Sequence, residues 1–225
     1  MGRTAARVIA ARPRPATELG EIVEQWWAES MPSPVARDVL LAAIELFAER
    51  GYHATTTRDI ATRVRMSTGA MYAYFRSKEE LLFEISFFGH RHAADALVAA
   101  AQTDAPPAAQ LADMVRLFAS YHARFRTIAK IVHDELYGMT SEHLADVLTV
   151  RRRTEALVED VIGRGVAAGT CDVADIPAVA RALLSLCIDV ARWYQPDHGS
   201  TPERVGDLYA ELALRMVGAR PAHRD

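Results

Sequence analysis

Cysteine is scarce in this chain: Cys171 and Cys187 are the only two among 225 residues. No apolar run is long enough for a secretory leader or a membrane span, so a disulfide framework and a membrane partner are not expected. Two buried thiols in a reducing cytoplasm are the expectation. Alternating apolar and polar residues, the mark of a half-buried strand, are also missing. So are acyl-transfer and phosphoryl-transfer motifs, which leaves no catalytic residue, metal site or cofactor to assign. Strong charge is absent too, because a formal net charge of -3 rules out a basic nucleic-acid coat and requires any DNA contact to come from a locally basic face.

What the chain does have is 50% hydrophobic residues, enough to bury a core, arranged at three- and four-residue intervals. Residues 1–33 comprise a basic arm with Arg3, Arg7, Arg12 and Arg14, followed by a short helix on which Ile22, Val23, Trp26 and Trp27 form an apolar stripe. Leu40, Ala43, Ile44 and Phe47 mark the next helix, with Gly51 as its stop. Beyond a loop at residues 104–107, helices are expected around Leu111, Val115 and Phe118, from Leu144 to Ile162, from Val179 to Val190 and from Val205 to Met216. The fold class expected is all-α, with a DNA-binding head at 34–80 and a larger helical body at 81–220.

Residues 55–82, TTTRDIATRVRMSTGAMYAYFRSKEELL, read as two short helices around a tight turn, the arrangement that lays a helix in the DNA major groove. Thr57 is expected to cap the first and Ser67 the second, Met71 and Phe75 to pack inward, and Ser77 with Glu80 to form a capping box on the next helix.

The segments FAERGYHATTTRDIA and VRMSTGAMYAYFRSKEELL resemble the TetR family of bacterial one-component transcriptional regulators. One position departs from that pattern: Arg65 stands at the turn where the family usually has Gly, at a cost of roughly 1 kcal/mol or a changed turn. The resemblance implies that Tyr72, Tyr74 and Lys78 hold flanking phosphates of double-stranded operator DNA, with Thr57 and Ser67 in the same face. Sequence readout then falls to Arg58, Thr68, Gly69 and Ala70, because short side chains let a recognition helix approach base edges and Arg pairs bidentately with guanine. The basic arm has two readings, a minor-groove or phosphate contact and a solvated tail.

TetR-like bodies commonly bind a small effector, and Arg192, Trp193 and Tyr194 resemble a subgroup that responds to CoA thioesters of fatty-acid or sterol breakdown. Arg151 falls on an apolar stripe, where a bound anion, Asp134, Glu135 or Asp189 would have to meet its charge. Phe118, Tyr121, Phe125, His133 and Tyr137 complete the expected ligand-binding set. The last two helices are apolar on two stripes, which suits a homodimer interface or a thick monomeric core. The function expected is a ligand-released repressor with a hydrophobic or anionic effector such as an acyl-CoA. Its rivals are a dimeric helix-turn-helix binder without effector, and a metal-dependent all-helical phosphohydrolase built on His90, His92, His122, His133, Asp134 and Asp160.

Overall fold

The computed structural model describes residues 18–28, 30–31, 33–196 and 199–219. The basic arm with its four arginines lies outside the described residues. Every regular element among those described is helical, and the chain divides into two compact units between Leu81 and Leu82.

The first unit holds α1 (Glu18–Trp27), α2 (Pro34–Arg50), α3 (Thr57–Arg63), α4 (Thr68–Met71) and the first turn of α5 (Lys78–Ala101). Ile22, Val23, Trp26 and Trp27 are buried as their spacing predicts, and α1 packs on α2. Arg37 clamps the pair, donating from Nε to Glu24 at 2.9 Å and from Nη1 to the Met31 carbonyl at 2.6 Å. α2 starts on a Ser33 cap with Pro34 behind it and stops at Gly51, whose φ of 84° favours glycine.

The cap of α3 is Thr56, not Thr57. Thr56 has extended backbone and accepts from Asp59 N–H at 3.2 Å, while the Asp59 carboxylate accepts from Thr56 N–H at 2.9 Å. This reciprocal box satisfies two amides at once, so the earlier threonine is the better cap and Thr57 becomes the first helical residue. Asp59 is consequently held below the usual carboxylate range, chiefly by its hydrogen bonds from Thr56. Arg63, at the other end of α3, binds Glu49 at 2.7 Å and Glu45 at 3.0 Å on α2.

Arg65 keeps the glycine-like turn. Its φ is 58°, its N–H donates to the Thr62 carbonyl at 3.0 Å, and Met66 N–H donates to Ala61 at 2.9 Å. That pair of bonds is a Schellman ending, and its hydrogen bonds offset the steric cost of a side chain in the left-handed region. The Arg65 side chain itself is exposed.

The second unit contains the rest of α5, then α6 (Pro107–Arg124), α7 (Arg126–Asp134), a single 3-10 turn (Leu136–Gly138), α8 (Ser141–Ala167), α9 (Ile176–Trp193) and α10 (Pro202–Met216). α6 and α7 are separated by a bend at Phe125, with φ -101° and ψ 30°, which no breaker in the sequence announces. α6 is the central helix: α8, α9 and α10 all pack against it, burying Leu111, Met114, Phe118 and Ala119. α10 approaches α6 closely at Gly206, where a Cβ would stand 2.6 Å from the Arg116 carbonyl and 2.2 Å from Ser120 Oγ. Arg116 also donates to Asp207 at 2.8 Å.

Both long terminal helices bury one stripe and expose another. Leu183, Val190, Val205 and Ala213 are in the core, whereas Leu186, Trp193, Leu208, Leu212 and Met216 are exposed. Cys171 and Cys187 are free and buried, and burial pushes the Cys187 thiol up to about 12.

An alanine in a helix interior ordinarily stabilises relative to glycine. At Gly206 the contact with backbone reverses the sign, and Gly206→Ala is expected to cost about 1–3 kcal/mol through overpacking. Urea denaturation at fixed protein concentration measures this, and a stabilised variant would contradict the close approach of α10 to α6.

Candidate DNA-binding face and effector cavity

Ser67 caps α4, accepting from Ala70 N–H at 3.1 Å. The regular α-helix ends at Met71, earlier than the apolar spacing predicts, and the chain continues in tight turns in which Tyr74 and Phe75 both donate to the Met71 carbonyl. Met71 and Phe75 are buried as expected, and this anchoring turns the intervening residues outward. Tyr72 and Tyr74 are 47% and 41% exposed, large aromatics that no packing demand holds at a surface. The Tyr72 hydroxyl lies 3.3 Å from Thr57 Oγ1, so two residues of the expected face meet across the turn.

Arg58, Gly69 and Ala70 are exposed, and Thr68 is half-buried. A Cβ at Gly69 would meet only Ser67 Oγ, at 4.0 Å, so the head itself sets no steric demand there. Lys78 sits at the start of α5 with its ammonium 2.7 Å from the Tyr52 carbonyl and 4.1 Å from the centre of the Tyr52 ring. The carbonyl takes one of the three ammonium protons. Ser77 accepts from Glu80 N–H at 3.0 Å, but the Glu80 carboxylate reaches Arg76 N–H instead of Ser77, so the expected capping box is only half closed.

The second unit encloses a cavity of about 300 Å³ between α5, α6, α7, α8 and α9. Its apolar wall includes Ala93, Phe118, Ile128, Val132, Leu184 and Ile188, and its polar groups are His90, Tyr121, His122, His133, Arg151, Thr154, Glu155, Arg181 and Ser185. Of the residues expected to bind a ligand, Phe118, Tyr121, His133 and Arg151 line it.

The remaining five do not line it. Phe125 lies at the α6–α7 bend with its ring 4.7 Å from Tyr121. Tyr137 is 83% exposed because the 3-10 turn carries it out to solvent. Arg192 is drawn to Asp134 at 2.9 Å on the surface, and Trp193 stacks beside Tyr209, with ring centres 6.4 Å apart. Tyr194 is buried elsewhere, its hydroxyl donating to the Ser200 carbonyl at 2.9 Å. These three close α9 and its following turn, so the apparent ligand signature has a local structural job.

Arg151 is half-buried and makes no ion pair or hydrogen bond among the described residues. Asp134 is committed to Arg192, and the neighbouring Glu155 to Arg181 at 3.2 Å. A guanidinium on a cavity wall without an internal partner is the strongest anion-facing feature of the body.

Three histidines crowd the cavity. His90 and His122 each direct Nδ1 to the carbonyl four residues earlier, Ser86 and Phe118, at 2.8 Å. His122 Nε2 lies 3.3 Å from His133 Nε2. Burial holds His90 and His122 down at about 4 and His133 at about 2, the last also through the neighbouring His122, His90 and Arg151. All three are neutral at pH 7. The phosphohydrolase reading groups His90, His92, His122 and His133 with Asp134 and Asp160, but these two carboxylates pair with Arg192 and Arg164, and no metal-holding group of three occurs among the described residues. Their helical spacing is compatible with core, and only the approach of α5, α6 and α7 brings the rings together.

An exposed helix-turn-helix face in one unit and a ligand-sized cavity in the other define a DNA-binding regulator. The N-terminal family model, bacterial regulatory proteins of the tetR family, matches residues 39–85, and the tetracyclin repressor-like C-terminal domain matches 104–217. The HTH-type transcriptional repressor KstR2 of Mycolicibacterium smegmatis is 30% identical over 195 residues, covering 82% of this chain and 91% of the relative. The chain belongs to the TetR family and is a DNA-binding transcriptional regulator. A tetR-family regulatory protein from Rhodococcus RHA1 superposes with a TM-score of 0.80 at 40% identity, over 84% of this chain and all of that one. AibR, solved in complex with isovaleryl coenzyme A and operator DNA, shares the fold with a TM-score of 0.73 at 22% identity, over 82% of this chain and 99% of that one.

The histidine values carry a pH prediction. Unfolded, each imidazole takes up its proton near pH 6.5, whereas folded His90 and His122 do so only near 4. Between those values the unfolded chain binds more protons, so stability is full above about 6.5 and falls with decreasing pH, by up to about 1.4 kcal/mol per pH unit for each histidine. Urea denaturation between pH 7 and 5 is expected to show a shallower loss for His122→Phe than for the wild type. Equal slopes would mean that His122 is not held neutral.

Proposed function

We propose that the chain is a ligand-released repressor whose effector is an acyl-CoA or a related anionic, partly apolar molecule. The cavity carries this reading, because its mixed wall and the unpaired Arg151 leave room and charge for a ligand that a purely dimerising body would not need. At about 300 Å³ it lies at the small end of ligand pockets, which suits an acyl group inside and the nucleotide portion outside. That KstR2 is a repressor, and that AibR binds isovaleryl coenzyme A and operator DNA, support the same class. The ligand lowers operator affinity by binding the DNA-free form more tightly, and by linkage DNA weakens the ligand to the same factor.

On the DNA side, Tyr72, Tyr74 and Lys78 serve phosphates, while Arg58, Thr68, Gly69 and Ala70 face base edges. Thr57 orients Tyr72 and Ser67 caps the recognition helix. The protein works as a cytoplasmic homodimer through α9 and α10, whose exposed Leu186, Leu208, Leu212 and Met216 need a partner face. The effectorless binder remains the second reading only if the cavity proves inert.

An operator selected from a random duplex pool makes the DNA side measurable. Tyr72→Phe and Lys78→Ala are each expected to weaken it by about 1 kcal/mol, uniformly across sequences, in fluorescence anisotropy. Unchanged affinity removes the phosphate assignment, and retention of the operator at saturating acyl-CoA removes the release mechanism. The double variant Leu208→Glu, Leu212→Glu is expected to sediment as a monomer and to bind the operator more weakly. An intact dimer would move the interface elsewhere.

A further inference from the structure

The hydrogen-bond polarity of the cavity restricts what the effector carries. A backbone carbonyl only accepts, so the Nδ1 atoms of His90 and His122 must hold their protons to bond Ser86 and Phe118. With both rings neutral, each Nε2 is then a bare lone pair. The His122 lone pair is met by His133, which must therefore carry its proton on Nε2 and leave Nδ1 bare. Two lone pairs are left over. His90 Nε2 is buried without a partner and has no accessible surface, whereas His133 Nδ1, which has no partner among the described residues, is left to the cavity.

The donors left on the wall, the Ser185 hydroxyl and Arg181, belong to exposed residues of α9, and two further hydroxyls are spent inside the protein. Tyr121 gives its hydroxyl proton to the Gly89 carbonyl at 2.8 Å, and Thr154 gives its own to Val150 at 3.1 Å. Each then offers the cavity only acceptor capacity. Arg151 is the one unpaired cation on the described wall, and Arg181 is tied to Glu155. The interior of the cavity is thus acceptor-rich and faces a guanidinium, and leaving a buried acceptor unmet is unfavourable.

We infer that the effector is hydroxylated: its buried portion donates an O–H to the bare His133 Nδ1 while a carbonyl or carboxylate oxygen of the same molecule meets Arg151. This rests on the body being an effector site, as proposed above, and narrows the ligand from acyl groups in general to hydroxyacyl groups. A plain hydrocarbon leaves that lone pair unmet, and a ketone brings a further acceptor against it. A site built for a hydroxyl discriminates strongly against the analogue lacking it.

Isothermal titration of the full-length protein at pH 7 with hexanoyl-CoA, its 3-hydroxy and 5-hydroxy derivatives and 3-oxohexanoyl-CoA tests this. At least one hydroxylated chain is expected to bind about tenfold or more tightly than hexanoyl-CoA, corresponding to about 1.4 kcal/mol, and the 3-oxo chain to gain nothing. In His133→Phe the preference for the hydroxyl should collapse, and if that variant does not fold the wild-type series still decides. Equal affinity for hexanoyl and hydroxylated chains, or a 3-oxo chain as tight as the hydroxylated one, overturns the hydroxyl requirement and leaves the acyl-CoA reading standing. Failure of all four to bind a protein that still binds its selected operator overturns both.

Discussion

Burial of α6 is the constraint from which the body follows. One face of it receives α10 at a distance only Gly206 permits, and its other residues, Phe118, Tyr121 and His122, form the cavity wall. Tight packing on one side and a void on the other are properties of the same helix. α9 and α10, packed on α6 through one stripe each, leave their second apolar stripes exposed.

The cavity wall combines neutral imidazoles with a fixed positive charge. Three imidazoles are kept neutral by burial, and a guanidinium that cannot lose its charge stands on the same wall. Each histidine's protonation site is set by what its other nitrogen bonds, so the polarity of the wall is fixed by two backbone carbonyls. In the head, anchoring and surface presentation are divided between neighbouring side chains. Buried Met71 and Phe75 hold the turn, and the side chains between them have no packing role.

Much of the head was legible because its signals are local. Ser67 as a cap, Met71 and Phe75 as anchors and Gly51 as a stop each depend on residues within one turn. The misplaced cap at Thr57 shows the limit of such reading: three consecutive threonines compete, and only the reciprocal bond with Asp59 selects Thr56. Arg65 was visible as discordant, but that the turn keeps its left-handed form was decided by its two flanking hydrogen bonds.

The body's site was less legible because its members are far apart in sequence. Phe118, Tyr121, His133 and Arg151 were foreseeable as polar or aromatic residues on apolar stripes, whereas Arg192, Trp193 and Tyr194, adjacent in sequence and suggestive as a motif, end a helix. Sequence by itself determined the all-helical class, the helix-turn-helix and the family, since periodicity, caps and ordered motifs act over a few residues. Only the tertiary structure decided which side chains share a cavity, which arginine lacks a partner and which way each imidazole proton faces. Those depend on how separate helices approach one another, and on carbonyls that no side-chain pattern records.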